Sequence, residues 1–442
     1  MIDQLKRILY FPVASYFRFF AGIRLKLWHP RIIVVTGSNG KTTLLHMLEA
    51  QIGSKAKYSH HANSSYGIPF DILDLHRKSL LASEWIELFF RAPINAFKNP
   101  PKEKIYVVEA DVDRPYEGKF LAEFLRPEVV LWVSTSGTHS MNFDNLISTK
   151  KFDNVEEAIA YEFGYFLEFC KKLAVINGSS ALQKQQIKRT QTEVKELVKE
   201  KLLNKYEVDN NGTKFVIDDN AYEFKDLLPE DVFYSIEACK DTIEYLKLSF
   251  DVKFSNFIVP PGRASIFDGI KDTKLIDSTY NANLSSNEVM LKMFAKFSVK
   301  KKWVVISDML ELGNEEKLAH EKLADIFTKM NLDKIILLGP CTANYTYLRL
   351  TSSRAKRGDL NEIASSSSTP RNDRFVETFS NLGDLKKYLH ENIVGGETIF
   401  FKGSQSMFLE GVIESLLKNK SDSKKLPRRG NFWDNKRKRA GL

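Results

Sequence analysis

Cysteine is scarce in this chain and scattered. Cys170, Cys239 and Cys341 are the only ones in 442 residues, and no two form a CxxC pair. That excludes a sequence-evident zinc ribbon or disulfide framework and fits a reducing cytoplasm. Charge-free apolar runs are lacking as well. The most hydrophobic early stretch, Ile8 to Trp28, is interrupted by Pro12, Arg18, Gly22, Arg24 and Lys26. A spanning helix needs ~20 mostly apolar residues, so this stretch is a poor candidate for one. No small-residue cleavage site follows it, which argues against a secretory signal. The body of the chain also lacks net charge. Residues 418–442 carry ten Lys or Arg against Asp422 and Asp434, a net +8 of the chain's +9. A near-neutral body argues against an RNA-binding ATPase, a reading that rests on the tail alone. No internal repeat of fixed period is visible.

What is present is ordinary globular material. Hydrophobic residues make up 43% and charged residues 27%, enough to bury sizeable cores. At this length two or three domains are expected. Residues 1–30 interleave aromatic and basic side chains, which suits a helix lying in a membrane interface. It equally suits a helix packed on the body with snorkelling Arg and Lys. The 418–442 tail, rich in Lys, Arg, Asn and Ser, reads as disordered and solvated, with an anionic partner (RNA or a lipid surface) as the alternative.

From residue 31, short β-branched runs alternate with helical stretches, the pattern of a parallel sheet covered by helices. The expected strands are 31–35, 105–109, 129–133 and 173–177. Each is a continuous apolar run, as strands buried on both faces should be. Residues 209–224 read as a small antiparallel hairpin turning at Asn210-Asn211-Gly212. Pro260-Pro261-Gly262 punctuates the chain, and a second series follows at 274–277, 303–307, 334–338 and 398–402. Residues 351–374, containing Ser365 to Ser368, read as a mobile insert. The division is therefore 1–30, 31–258, 259–417 and 418–442.

The strand beginning at Arg31 runs into Thr36-Gly37-Ser38-Asn39-Gly40-Lys41-Thr42-Thr43. Glycines let backbone N–H groups approach phosphate oxygens, and a helix N-terminus adds partial positive charge. Lys41 is placed to reach the outer phosphates and the Thr42 hydroxyl to ligate Mg²⁺. Val35 stands where the general G-x-x-x-x-G-K-[ST] pattern has its first glycine, so the match is to a shortened T-G-x-N-G-K-T-T form.

That string resembles the Mur ligase superfamily, and further segments agree in order from 31 to 417. Asn63-Ser64-Ser65-Tyr66-Gly67-Ile68-Pro69 is similar to the family's N-N-x-x-G-x-P segment. Glu109, ending a strand, and His139, after Ser134 to Thr138, match residues that hold magnesium in the family. Leu275 to Asn283 resembles the MurF-type I-D-D-S-Y-N-A-N-P signature, Ser307 to Gly313 with His320 its G-D-M-L-E-L-G…H, and Lys402 to Met407 with Glu410 its K-G-S-R-S-M…E. The resemblance implies an α/β fold: a central P-loop-type parallel-sheet ATPase domain and a C-terminal Rossmann-like domain. It implies ATP and Mg²⁺ as cofactors. Gly37 to Thr43 and Asp277 would bind nucleotide, and Thr42, Glu109 and His139 the metal. Lys41, His139, Arg263 and Asn281 would be catalytic, and Asn63, Asn283, Lys402 and Ser404 would face substrate. A hinge is expected near 259–262.

The departures from the family bear on the substrate. Only 30 residues precede the first strand, where MurF-type enzymes carry a UDP-sugar domain. The carbamylated lysine expected near residues 160–164 is missing, leaving Glu162 as the candidate negative charge beside a second Mg²⁺. Pro229 to Val232 stands where G-x-H-N is expected, and Leu284 replaces the proline after Asn283. The implied reaction is ATP-dependent amide ligation through an acyl phosphate. Its carboxylate would be muramoyl-peptide-like or lipid-linked, and its amine an amino acid or dipeptide. The implied location is cytoplasmic, with peripheral contact at the inner membrane face through residues 1–28. The rival is a degenerate ligase fold serving as a nucleotide sensor or scaffold.

Overall fold

The computed structural model describes residues 2–60, 62–77, 82–137, 140–149, 151–356 and 375–439. The chain divides into two compact units. One comprises Met1–Asn204, Val216–Tyr222 and Asp231–Ile258; the other comprises Lys205–Phe215, Glu223–Glu230 and Val259–Leu442. The single break expected at 258/259 is therefore incomplete. Residues 205–215 and 223–230 belong with the second unit because Val208 and Leu227 are buried in its core with Met293, Phe294 and Phe297.

The first unit begins with helix α1 (Ile2–Trp28). Strand β1 (Arg31–Thr36) leads into α2 (Lys41–Ile52), followed by β2 (Ala56–Tyr58), α3 (Gly67–Leu73) and α4 (Ala82–Ala96). Then come β3 (Ile105–Ala110), α5 (Glu117–Leu125), β4 (Val129–Trp132), β5 (Leu173–Asn177) and β6 (Glu193–Leu197). The six strands form one sheet in the order β2-β3-β1-β4-β5-β6, all parallel. From β1 the chain winds first to one side and then to the other. Such a switch point opens a crevice outside the strands' carboxyl ends, where α/β sheets take ligands.

Helix α1 is part of this unit's core. Ala14, Phe17, Ala21, Arg24 and Trp28 recur at three- and four-residue spacing and are all buried, as one helical face should be. Arg24 Nη1 donates to the Asn95 carbonyl at 2.6 Å, and Trp28 Nε1 to the Glu103 carbonyl at 2.6 Å. Arg18 lies over the Phe120 ring at 4.5 Å. Of the two readings of this segment, the structure takes the packed helix. Among the described residues no helix is long and apolar enough to cross a membrane.

Residues 203–224 form three strands, not the expected hairpin: β7 (Leu203–Asp209), β8 (Gly212–Ile217) and β9 (Asn220–Phe224). The missed second turn is Asp218-Asp219, both with positive φ (46° and 64°). Asp tolerates that left-handed conformation better than most side chains.

The second unit holds β10 (Ser265–Asp268), β11 (Lys274–Ser278), β12 (Lys302–Ser307), β13 (Lys334–Leu338), β14 (Val376–Phe379) and β15 (Thr398–Lys402). They pair as β10-β11-β15-β12-β13-β14, with only β10 antiparallel. Alternate residues feed two cores. Ile276, Val304, Ile306 and Phe400 enter one, while Leu275, Val305, Ile399 and Phe401 enter the other. A sheet covered on both faces accounts for its continuous apolar strands. The basic tail is not the solvated segment the composition suggested. Leu426 and Arg428 are buried, and Asn431–Arg439 is helical. The expected mobile insert falls mostly on 357–374, outside the described residues.

Candidate active site

In the first unit the phosphate loop leaves β1 between β3 and β4. Gly37 has φ +128°, and a Cβ there would lie 2.7 Å from the Ser134 carbonyl oxygen, so no other residue fits this close approach. Gly40 (φ 86°) precedes α2. The loop is stapled to the segment after β4. Ser38 N donates to the Ser134 carbonyl at 3.1 Å, Asn39 N to Ser134 Oγ at 2.8 Å, and Ser38 Oγ to the Ser136 carbonyl at 2.9 Å.

Lys41 is buried, with Nζ donating to the Gly37 carbonyl at 2.6 Å and pairing with Asp111 Oδ2 at 2.8 Å. Burial works against its charge, but Asp111 and then Glu109 more than offset this and raise its pKa above the usual lysine value. Thr42 Oγ1 donates to Glu109 Oε2 at 2.9 Å. The two side chains read as metal ligands thus meet at the crevice. A hydroxyl and a carboxylate are hard oxygen donors that suit Mg²⁺. Thr43 is buried in the first turn of α2. The Asn63 carbonyl accepts from Asp111 N at 2.8 Å, which brings its segment beside the partner of Lys41. His139 lies outside the described residues.

Glu162 is committed elsewhere. It is buried, and its carboxylate accepts from Tyr116 N at 2.8 Å and Gly118 N at 3.1 Å, capping α5. Burial pushes its carboxyl up against the pull of those amides. The segment 63–69 depends instead on a residue the sequence did not flag. Glu117, fully buried, accepts from Ser65 Oγ at 2.7 Å and from the Tyr10 hydroxyl at 3.0 Å.

In the second unit, the three MurF-like signatures follow β11, β12 and β15, which are adjacent strands in the order β11-β15-β12. Lys402 sits opposite Ser278 on one side and Ile306 on the other. Its Nζ donates to the Asn281 carbonyl at 2.9 Å. Ser404 Oγ accepts from Leu310 N at 3.0 Å, joining the second and third signatures. Arg263 stacks over Tyr280 at 4.6 Å. The Asn281 side chain accepts from Ala282 N at 2.9 Å. Asn283 caps the following helix (Leu284–Lys296) in a capping box with Ser286. His320 is locked between Met309 N (3.1 Å to Nε2) and the Glu316 carbonyl (2.7 Å to Nδ1), so it shapes the 308–312 loop. Glu410 is buried against Arg428 of the tail, with Arg428 Nε at 2.8 Å. That guanidinium also reaches the Thr279 carbonyl at 2.8 Å and the Tyr280 carbonyl at 2.9 Å.

Asp277 and Lys402 are held against their charge preferences. Burial pushes Asp277 up to about 6, although Thr279 donates to its Oδ1 from N (3.0 Å) and Oγ1 (2.7 Å). Its Oδ2 is buried with no hydrogen-bond partner. Burial, then the Arg263 charge, brings Lys402 down to about 7. Such displaced titrations concentrate at functional sites. For Asp277 the folded pKa lies above the unfolded one. Stability therefore falls as pH rises from roughly 4 to about 6 and stays reduced above that. Lys402 acts oppositely, gaining stability as pH rises above about 7. Asp277→Asn is therefore expected to stabilise the protein at pH 8 by on the order of 2 kcal/mol and hardly at all at pH 4. Thermal melts of both forms at the two pH values check this.

A phosphate loop at the switch point of a parallel sheet, joined to a second α/β unit with three strand-end signatures, defines a two-unit nucleotide-binding architecture. No protein-family model matches the chain. The UDP-N-acetylmuramoyl-tripeptide–D-alanyl-D-alanine ligase of Bacillus subtilis is 22% identical over 397 residues, covering 88% of this chain and 76% of that protein. The MurF ligase of Thermotoga maritima, solved with ADP, matches at TM-score 0.69 and 19% identity, over 96% of this chain and 84% of that one. The folylpolyglutamate synthase of Mycobacterium tuberculosis, solved with ADP and AMPPCP, matches at TM-score 0.59 and 13% identity, over 94% and 98%. The chain is thus similar over most of its length to MurF-type proteins of the Mur ligase superfamily.

Proposed function

We propose that this chain is an ATP-dependent carbon–nitrogen ligase that joins a carboxylate to an amino acid or dipeptide amine through an acyl phosphate. The observation that carries the reading is the convergence of buried Lys41, Thr42 and Glu109 at the switch point. ATP would lie on Gly37 to Thr43. Thr42 and Glu109 would hold Mg²⁺, whose role is to neutralise charge on the phosphate oxygens. The substrate carboxylate attacks the γ-phosphorus and ADP leaves. The amine then attacks the acyl carbon, phosphate departs with the bond electrons, and the nitrogen gives up a proton to solvent. Lys41 offsets charge on the transferred phosphoryl group; within the second unit, Arg263 and Asn281 are the candidate catalytic residues and Lys402 a candidate substrate residue. The intact Lys41–Thr42–Glu109 set speaks against a degenerate, non-catalytic fold. A screen of muramoyl-peptide-like and lipid-linked carboxylates with amino acids and dipeptides, read by phosphate release and product mass, is expected to find an amine-dependent pair. ATP hydrolysis indifferent to every amine would overturn the reading.

Peripheral contact with a lipid surface remains part of this proposal but moves from α1 to α4. Ile86, Phe90, Ile94 and Phe97 recur along one face and are 63–72% exposed. Lys26, Lys98 and Lys102 are exposed where the ends of α1 and α4 meet. An apolar stripe edged by lysines suits an anionic membrane interface. Deleting residues 1–28 would remove buried core, so point variants are the better test. Phe90→Asp with Phe97→Asp is expected to abolish co-sedimentation with anionic vesicles without lowering the melting temperature. Equal partitioning of both forms would count against it.

A further inference from the structure

Among the described residues, His46, Glu49 and His60 bring three potential ligand atoms within 4.8 Å of one another. We propose that they form a binding site for a divalent transition-metal ion of the Zn²⁺ class, separate from the Thr42–Glu109 pair. His46 and Glu49 are one turn apart on α2, with His46 Nδ1 3.7 Å from Glu49 Oε2. His60 arrives from a different element, two residues beyond β2, and its Nε2 lies 3.1 Å from the same carboxylate oxygen. The two imidazoles are neighbours, with ring centroids 5.1 Å apart.

The two carboxylate–imidazole separations suit a tetrahedral ion. Metal–ligand distances of ~2.0–2.1 Å place adjacent ligand atoms ~3.3–3.4 Å apart, and the two measured separations bracket that value. An ion among these groups needs only small rotations of side chains that are already adjacent. The donor set also selects the ion. Two imidazoles and one carboxylate favour Zn²⁺, Co²⁺ or Ni²⁺, whereas Mg²⁺ prefers an all-oxygen shell. The three side chains are 28–38% exposed, so an ion can enter from solvent and the fourth position can take water.

The site joins two pieces of the nucleotide machinery. His46 lies one turn beyond Thr42 on α2. His60 follows Ser59, whose Oγ accepts from Glu109 N at 2.9 Å. Bound metal would therefore brace the helix carrying Thr42 against the strand end carrying Glu109 and stabilise the folded first unit by mass action.

The test uses the full chain in buffer with excess Mg²⁺. Calorimetric titration with Zn²⁺, absorption spectra with Co²⁺ and thermal melts are compared for wild type, Glu49→Gln, His60→Asn and Glu109→Gln. One Zn²⁺ equivalent is expected, with the visible absorption of four-coordinate Co²⁺ and a Zn²⁺-dependent rise in melting temperature. Glu49→Gln and His60→Asn should each weaken binding at least ~10-fold, the scale seen for losing even an outer-shell partner. Glu109→Gln should keep the site. Absence of Zn²⁺ binding, or equal binding by wild type and the Glu49 and His60 variants, would overturn the proposal. Loss in Glu109→Gln alone would assign the ion to the Mg²⁺ pair and overturn it too.

Discussion

Replacing Lys41 with Ala will bring amine-dependent phosphate release to background, a fall of at least roughly 10²–10³-fold, the scale for removing one donor aimed at developing charge. The ammonium is buried and folded back over its own loop, donating to the Gly37 carbonyl at 2.6 Å and the Ser38 carbonyl at 3.4 Å. It is also paired with Asp111 at 2.8 Å. Those carboxylates raise its pKa, so the charge it presents to phosphate persists across any working pH. Lys41→Ala alone carries a confounding cost, because it takes the cation from Asp111 while Glu109 lies close by. Removing one partner of such a buried pair destabilises strongly. The decisive comparison adds Lys41→Ala with Asp111→Asn, which recovers stability without restoring the cation. Turnover should stay at background in both variants, while the melting temperature recovers in the double variant. Wild-type turnover in the double variant would remove Lys41 from the mechanism.

The same residues show where sequence reading succeeds and where it stops. Arg31 to Thr36, Ile105 to Ala110 and Thr398 to Lys402 were legible because a strand buried on both faces must be apolar throughout. The phosphate loop was legible because Gly37 and Gly40 occupy backbone conformations that few other residues adopt. Asp111, Glu117 and the Ser134–Ser136 staple left no such trace. Each acts through long-range contacts, such as Glu117 with Ser65 and Tyr10 or Ser134 with Ser38 and Asn39, and a lone Glu or Ser in a string carries no sign of its partners. Composition misled at the C-terminus. Counting charges over 418–442 hid the fact that Arg428, Arg429 and Arg437 face Glu410, Glu414 and Asp434. The anionic partner suggested by the tail is, for these bases, the protein's own carboxylates. The one local hint was Leu426-Pro427, an apolar pair immediately before two arginines.

Arg428 is consequently the second place where one substitution should have a large effect. Its guanidinium is 2% exposed and Glu410 is fully buried, so neither charge has water to fall back on. The fork is bidentate, with Nε and Nη2 both on the Glu410 carboxylate, a geometry that lysine cannot reproduce. Two of its nitrogens also hold the carbonyls of Thr279 and Tyr280, the backbone of the first signature. Among the described residues, Arg428→Ala leaves Glu410 with only the longer contact from Arg437 at 3.5 Å, and it releases that loop. Breaking a buried pair costs about 3–5 kcal/mol. Arg428→Ala is therefore expected to lower the melting temperature by several degrees and to reduce amine-dependent turnover with it. Ending the chain after Gly430 removes Arg437 but keeps Arg428 and should be mild, whereas ending it after Leu417 should be as damaging as Arg428→Ala. Replacing both partners together, Arg428→Met with Glu410→Leu, separates the two roles. Stability should largely return because no charge stays buried alone, while turnover stays low because nothing holds the Thr279 and Tyr280 carbonyls. Full recovery of turnover in that double variant would mean that the tail braces the fold and has no part in shaping the signature loop.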